Sequence, residues 1–143
     1  MTRAVRVVLA DDDPRFRDAA ADALRSDADV DVVAVVDDGT QALRAAFEHR
    51  ATVLCMDLGM PGGGTELVRA ARDTGLNVLV LTADDRTGSC LELLRAGALC
   101  IVSKYGIDLD LSRAAVRCHN GDVVLVGEGP ASVIDQLLSS TPR

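Results

Sequence analysis

Apolar and polar positions follow two different rhythms along this chain. Runs with almost no polar break occur at positions 5–10, 30–36, 52–56, 77–81 and 99–102. Each has strand length, and apolar residues at successive positions suit a strand buried on both faces, as in a parallel sheet. Between the runs, apolar residues recur at helical spacing: Phe16, Ala20, Ala23 and Leu24; then Leu43, Ala46 and Phe47; Leu67, Val68 and Ala71; and Leu91, Leu94 and Ala98. That period predicts helices with one buried stripe. Asp13 and Pro14 supply a cap and a first turn for the first of them, and a fifth helix is expected over about 108–118. Successive strand–helix units define an α/β protein with a doubly wound parallel sheet and right-handed crossovers.

After "HNGD" the rhythm changes. "VVLV" suits a short extended segment, and Pro130 opens a stretch whose Val133, Ile134, Leu137 and Leu138 predict a sixth helix with an apolar stripe. No repeat, low-complexity tract or linker interrupts the chain before residue 120.

Composition narrows the functional classes. The 143 residues suffice for one domain with a proper core. Phe16, Phe47 and Tyr105 are the aromatic residues, so the core must be aliphatic. A formal charge of −7 argues against a nucleic-acid or anionic-membrane surface on this chain. No apolar run has transmembrane length and no signal-peptide core precedes the first charges, so a cytoplasmic protein without membrane contact is expected. Cys55, Cys90, Cys100 and Cys118 lack zinc-ligand spacing and read as buried, reduced thiols.

In an open parallel sheet, ligands gather at the carboxyl ends of the strands. Here those ends deliver Asp11 and Asp12, Asp57, Thr82, and Ser103 with Lys104. In "LADDDP" the carboxylates oppose one another: two negative charges ~4 Å apart repel by ~1 kcal/mol in water, and by more where solvent is excluded. A hard divalent cation with oxygen ligands, Mg²⁺, would relieve that repulsion. Singly, each residue has an ordinary reading as a cap, a turn or a solvated charge. Their joint arrival at one rim carries the signal.

The motifs "LADDDP", "CMDLGMPGGG", "LVLTADD" and "AGALCIVSKYG" together resemble the receiver domains of two-component response regulators over about residues 4–120. The likeness is strongest to the NarL/FixJ type, whose members carry a LuxR-type helix-turn-helix. The resemblance implies a flavodoxin-like, five-stranded sheet of order 2-1-3-4-5 with five helices, followed by an extension helix. It implies that Asp57 accepts a phosphoryl group from a sensor histidine kinase. It further implies that Asp12, Asp57 and the carbonyl of Gly59 hold Mg²⁺, with Asp11 acting through a metal-bound water. Lys104 and Thr82 would contact the phosphoryl oxygens. Residues 1–120 would form the receiver and 121–143 a linker and sixth helix. "SSTPR" is similar to the opening of a LuxR-type domain, so DNA contact is expected only through a domain beyond this chain. A homodimer on activation is also implied, and the domain would signal rather than act as an enzyme.

Three departures bear on these expectations. Ile101 stands three residues before Lys104, where the family usually has an aromatic that moves with the threonine. Tyr105 is the aromatic nearest in sequence to that position. Asp13 replaces a frequent histidine, and the "PGGGTEL" loop is one residue shorter than the common form, with glycines expected to leave it mobile until metal binds. His49 reads as a helix-end residue and His119 as a surface one. Two other classes compete. A Mg²⁺-dependent phosphohydrolase of the haloacid dehalogenase type would place its nucleophile on the first strand and carry a cap insertion, whereas Asp57 follows the third. A phosphorylation-independent or single-domain receiver, acting by protein–protein interaction, would fit the loss of the aromatic at Ile101.

Overall fold

The computed structural model describes residues 4–84, 86–104 and 110–139. The chain alternates β1 (Val5–Ala10), α1 (Pro14–Arg25), β2 (Val30–Val36), α2 (Gly39–Glu48), β3 (Val53–Asp57) and α3 (Thr65–Asp73). It continues through β4 (Asn77–Thr82), α4 (Thr87–Ala96), β5 (Cys100–Ser103), α5 (Leu111–His119), β6 (Val124–Val126) and α6 (Glu128–Ser139). All strand pairs are parallel, in the order β2-β1-β3-β4-β5-β6. The sheet therefore has the doubly wound, flavodoxin-like α/β topology expected, but with six strands instead of five. The extra strand is "VLV" beside Cys100, Ile101 and Val102. At three residues it is too short for its own pattern to distinguish strand from loop.

Strand alternation divides the core between the two faces. Val7, Leu9, Cys55, Leu79, Leu81 and Val102 pack with Leu24 of α1 and Ala115 of α5. Val8, Met56, Val78, Val80 and Ile101 pack with Ala42 of α2, Val68 of α3, Leu93 of α4 and Val133 of α6. Burial on both faces explains why these strands read as continuous apolar runs. Ile101 is fully buried, on the α4–α6 side. The four cysteines are buried and unbridged.

Two apolar stripes differ from expectation. Phe47 is 88% exposed, because the short α2 buries Ala42, Ala45 and Ala46 and turns the next position outward. On α6, Val133 is buried while Ile134, Leu137 and Leu138 are exposed, since α6 docks on α4 and the sheet through one edge. The fifth helix begins at Leu111, capped by Asp110, whose side chain accepts from the Arg113 N–H. Its expected start at Asp108, like Tyr105 and the terminal "STPR", lies outside the described residues.

The cap predicted for α1 is present: the Asp13 side chain accepts from the Arg15 N–H, with Pro14 in the first turn. This fixes the chain leaving β1. The loop after β3 is fixed by backbone contact. The Gly39 N–H donates to the Pro61 carbonyl at 3.0 Å, and Gly62, at φ 73°, lies directly against Gly39. A Cβ at position 39 would run into the Gly62 carbonyl oxygen, which is backbone and has little freedom to yield. Gly39→Ala is expected to cost about 1–3 kcal/mol by overpacking, read from urea denaturation; an unchanged midpoint would show that the loop gives way freely.

Candidate functional site

The carboxyl ends of β1 and β3 lie side by side where the strand order reverses, the usual ligand position in such sheets. Asp11 and Asp12 leave β1 there and Asp57 ends β3. One carboxylate oxygen from each lies within 4.8 Å of the other two. Asp11 and Asp57 are buried, whereas Asp12 is exposed.

Lys104 follows β5 and reaches back across the sheet end. Its Nζ lies 3.1 Å from Asp11 Oδ2 and 3.0 Å from Asp57 Oδ1. Backbone donors complete the arrangement: the Asp13 N–H donates to Asp11 Oδ1 at 2.9 Å, and the Gly59 N–H to Asp57 Oδ1 at 3.3 Å. Each buried carboxylate thus has one amide and one ammonium against the cost of its burial. The balance differs at the two ends of the bridge. Burial pushes the Asp11 carboxyl up, with the Asp13 amide and Lys104 opposing and Asp57 adding to the rise. Burial also works against the charged form of Lys104, but hydrogen bonds to Asp57 and Asp11 outweigh it and raise its pKa. The lysine therefore stays an ammonium.

Thr82, at the end of β4, is buried with its hydroxyl committed to the next loop. Its Oγ1 accepts from the Asp84 N–H at 2.9 Å and donates to the Asp84 carbonyl at 3.2 Å. The Asp84 carboxylate is in turn held by Arg86 through 2.9 and 2.8 Å contacts, which keep it well below the usual carboxylate range. A cleft of about 410 Å³ opens onto Asp12, Asp57, Gly59, Thr82 and Lys104. Every site residue expected from sequence therefore borders this cleft or, like Asp11, bonds to a residue that does. Clustered carboxylate oxygens suit a hard cation such as Mg²⁺.

Two features were not legible in the sequence. The Phe16 ring centroid lies 4.2 Å from Lys104 Nζ; the only hint was an aromatic residue soon after "DDD" in a chain with very few. The second is the amide of Asp13, which bonds the carboxylate two residues earlier. His49 caps the end of α2 and is exposed. His119 is exposed, with Nδ1 2.9 Å from Thr52 Oγ1. Neither lines the cleft.

A parallel sheet whose carboxyl ends gather three aspartates and a lysine is the architecture of a receiver-type signalling domain. The response regulator receiver domain family matches residues 7–116, and the chain belongs to that family. NarL of Mycobacterium tuberculosis, described as a transcriptional regulatory protein, is 35% identical over 124 residues, covering 84% of this chain and 57% of that protein. The oxygen regulatory protein NreC of Staphylococcus carnosus is 28% identical over 143 residues, covering 96% and 65%. The chain thus spans less than two thirds of these curated relatives. Among solved structures, the receiver domain of M. tuberculosis NarL superposes with a TM-score of 0.78 at 32% identity, covering 84% of this chain and 99% of that one. The isolated receiver domain of RcsB from Salmonella enterica serovar Typhimurium, determined with phosphomimetic BeF3⁻, gives 0.81 at 26% identity, covering 92% and 99%. The chain is a two-component receiver domain of the NarL/NreC/RcsB type. Among the described residues no helix is long and apolar enough to cross a membrane.

Proposed function

We propose that Asp57 accepts a phosphoryl group from the phosphohistidine of a sensor histidine kinase. The observation that carries this reading is Lys104 Nζ placed between Asp57 and Asp11 at the mouth of an open cleft. A carboxylate oxygen of Asp57 attacks phosphorus, the P–N bond breaks, and the imidazole leaves with its electron pair and takes up a proton. Phosphoryl transfer asks chiefly for positioning and charge neutralisation, and these residues supply both. Lys104 exchanges its Asp57 contact for a phosphoryl oxygen. Thr82 gives up its bonds to Asp84 to meet another, which makes the loop after β4 sensitive to phosphorylation. Asp12, Asp57 and the Gly59 carbonyl would hold Mg²⁺, with Asp11 behind them, and the ion would neutralise charge on the transferring group.

Residues 1–120 carry this chemistry, and 121–143 lead to an output domain. The regulatory names of NarL and NreC favour transcription control through a DNA-binding output, with homodimerisation on activation and a cytoplasmic location. The domain is a switch, with turnover limited to slow loss of its own phosphoryl group.

The test is incubation with acetyl phosphate and intact-mass measurement. With Mg²⁺ one phosphoryl group is expected, and without divalent metal none; no gain in either condition would contradict the reading. The metal site has a separate readout. Mg²⁺ at roughly 100 times its dissociation constant is expected to add about 2.7 kcal/mol of stability, and Asp12→Ala to remove most of it. A melting temperature indifferent to Mg²⁺ would remove the metal from the account.

A further inference from the structure

We infer that Phe16 is a positioning residue for the Lys104 ammonium, holding it over the site while Asp57 reacts. The consequence for phosphorylation rests on the reading of Asp57 as the acceptor; the contact itself does not. Among the described residues, Lys104 Nζ meets Asp11 Oδ2 at 3.1 Å, Asp57 Oδ1 at 3.0 Å and the Phe16 ring centroid at 4.2 Å. The lysine side chain is only 14% exposed. An ammonium over an aromatic face gains most where water is partly excluded, because less hydration competes with the ring quadrupole.

The three contacts differ in what the reaction does to them. Asp57 becomes an acyl phosphate, so during transfer Lys104 must exchange its carboxylate contact for a phosphoryl oxygen. Asp11 and Phe16 are chemically unchanged and hold the side chain, with its flexible four-carbon stem, while that exchange takes place. The ring is also built into the site's own frame. Phe16 lies in the first turn of α1, whose Asp13 cap and Pro14 follow Asp11 and Asp12 directly. Behind it, the ring shares a small apolar hollow with Leu81, Val102 and Leu111. Its place is therefore set by the same turn that places the carboxylates. Leucine would fill that hollow but has no π-face to offer the ammonium.

Two measurements test the assignment. In NMR of the unphosphorylated protein, the Lys104 ε-methylene protons are expected to be displaced upfield by the Phe16 ring current, whether or not Asp57 accepts phosphate. Random-coil shifts there would overturn the contact. In phosphorylation by acetyl phosphate with Mg²⁺, Phe16→Leu is expected to slow the saturated rate about fivefold, the worth of one cation–π contact. Phe16→Trp should recover most of that rate, and Phe16→Leu should have no further effect in a Lys104→Met background. Equal rates for the leucine and tryptophan variants, or a full fivefold loss in the Lys104→Met background, would show that the ring acts by packing alone. A wild-type protein that takes up no phosphate would defeat the acceptor reading, while the NMR result still decides the contact.

Discussion

Asp57→Asn is expected to abolish phosphoryl incorporation from acetyl phosphate, taking the intact-mass gain below detection while the protein remains folded. The size of the effect follows from the geometry. An asparagine amide is a poor nucleophile, and among the described residues no neighbouring carboxylate has the contacts of Asp57. Asp11 is wholly buried and does not border the cleft. Asp12 is open to solvent, but Lys104 bridges Asp11 and Asp57 and not Asp12. Among the described residues, only Asp57 combines access to the cleft, the ammonium and the Gly59 amide. Incorporation persisting in Asp57→Asn would place the nucleophile elsewhere on the rim.

Lys104→Met should produce the next largest effect, in two separable ways. Without metal, its loss leaves Asp11 and Asp57 facing each other without the ammonium that bridges them. Removing one partner of a fully buried ion pair costs about 3–5 kcal/mol; because this site is open on one side, a loss of about 2 kcal/mol is expected here. Mg²⁺ should then stabilise the variant more than the wild type, since the cation relieves a repulsion that the ammonium no longer screens. The phosphorylation rate should fall by about a hundredfold, the scale of losing one charged donor to a transferring group. Urea denaturation with and without Mg²⁺ reads the first effect and initial rates read the second. Unchanged stability in metal-free buffer would mean that Lys104 contributes no net stabilisation through these carboxylates.

The strand framework was legible because a parallel sheet leaves an unusual mark. β1 and β2 run over Val5–Ala10 and Val30–Val36, the positions of the apolar runs, and β3, β4 and β5 differ from theirs by single residues at their ends. The site was legible for a related reason: once strands are known to be parallel, their carboxyl ends share one rim, so Asp11, Asp12, Asp57, Thr82 and Lys104 can be grouped without coordinates. What escaped depends on tertiary contact. β6 has too few residues to show a period and becomes a strand only by pairing with β5. Phe47 sits one position beyond the alanine stripe of α2, where size suggested burial that helix phase forbids. Phe16 meets Lys104 only because α1 and the end of β5 converge on the same side of the sheet, and no local pattern announces a contact between positions so distant in sequence.

The central claim, that Asp57 is the acceptor, is tested most directly by trapping the modified side chain. Borohydride reduces an aspartyl phosphate to homoserine, which stays in place through digestion and peptide sequencing by mass spectrometry. After treatment with acetyl phosphate and Mg²⁺, homoserine is expected at position 57 and at no other aspartate. Homoserine at position 11, 12 or 13 in place of 57, or none in a sample whose intact mass has risen by one phosphoryl group, would contradict the account.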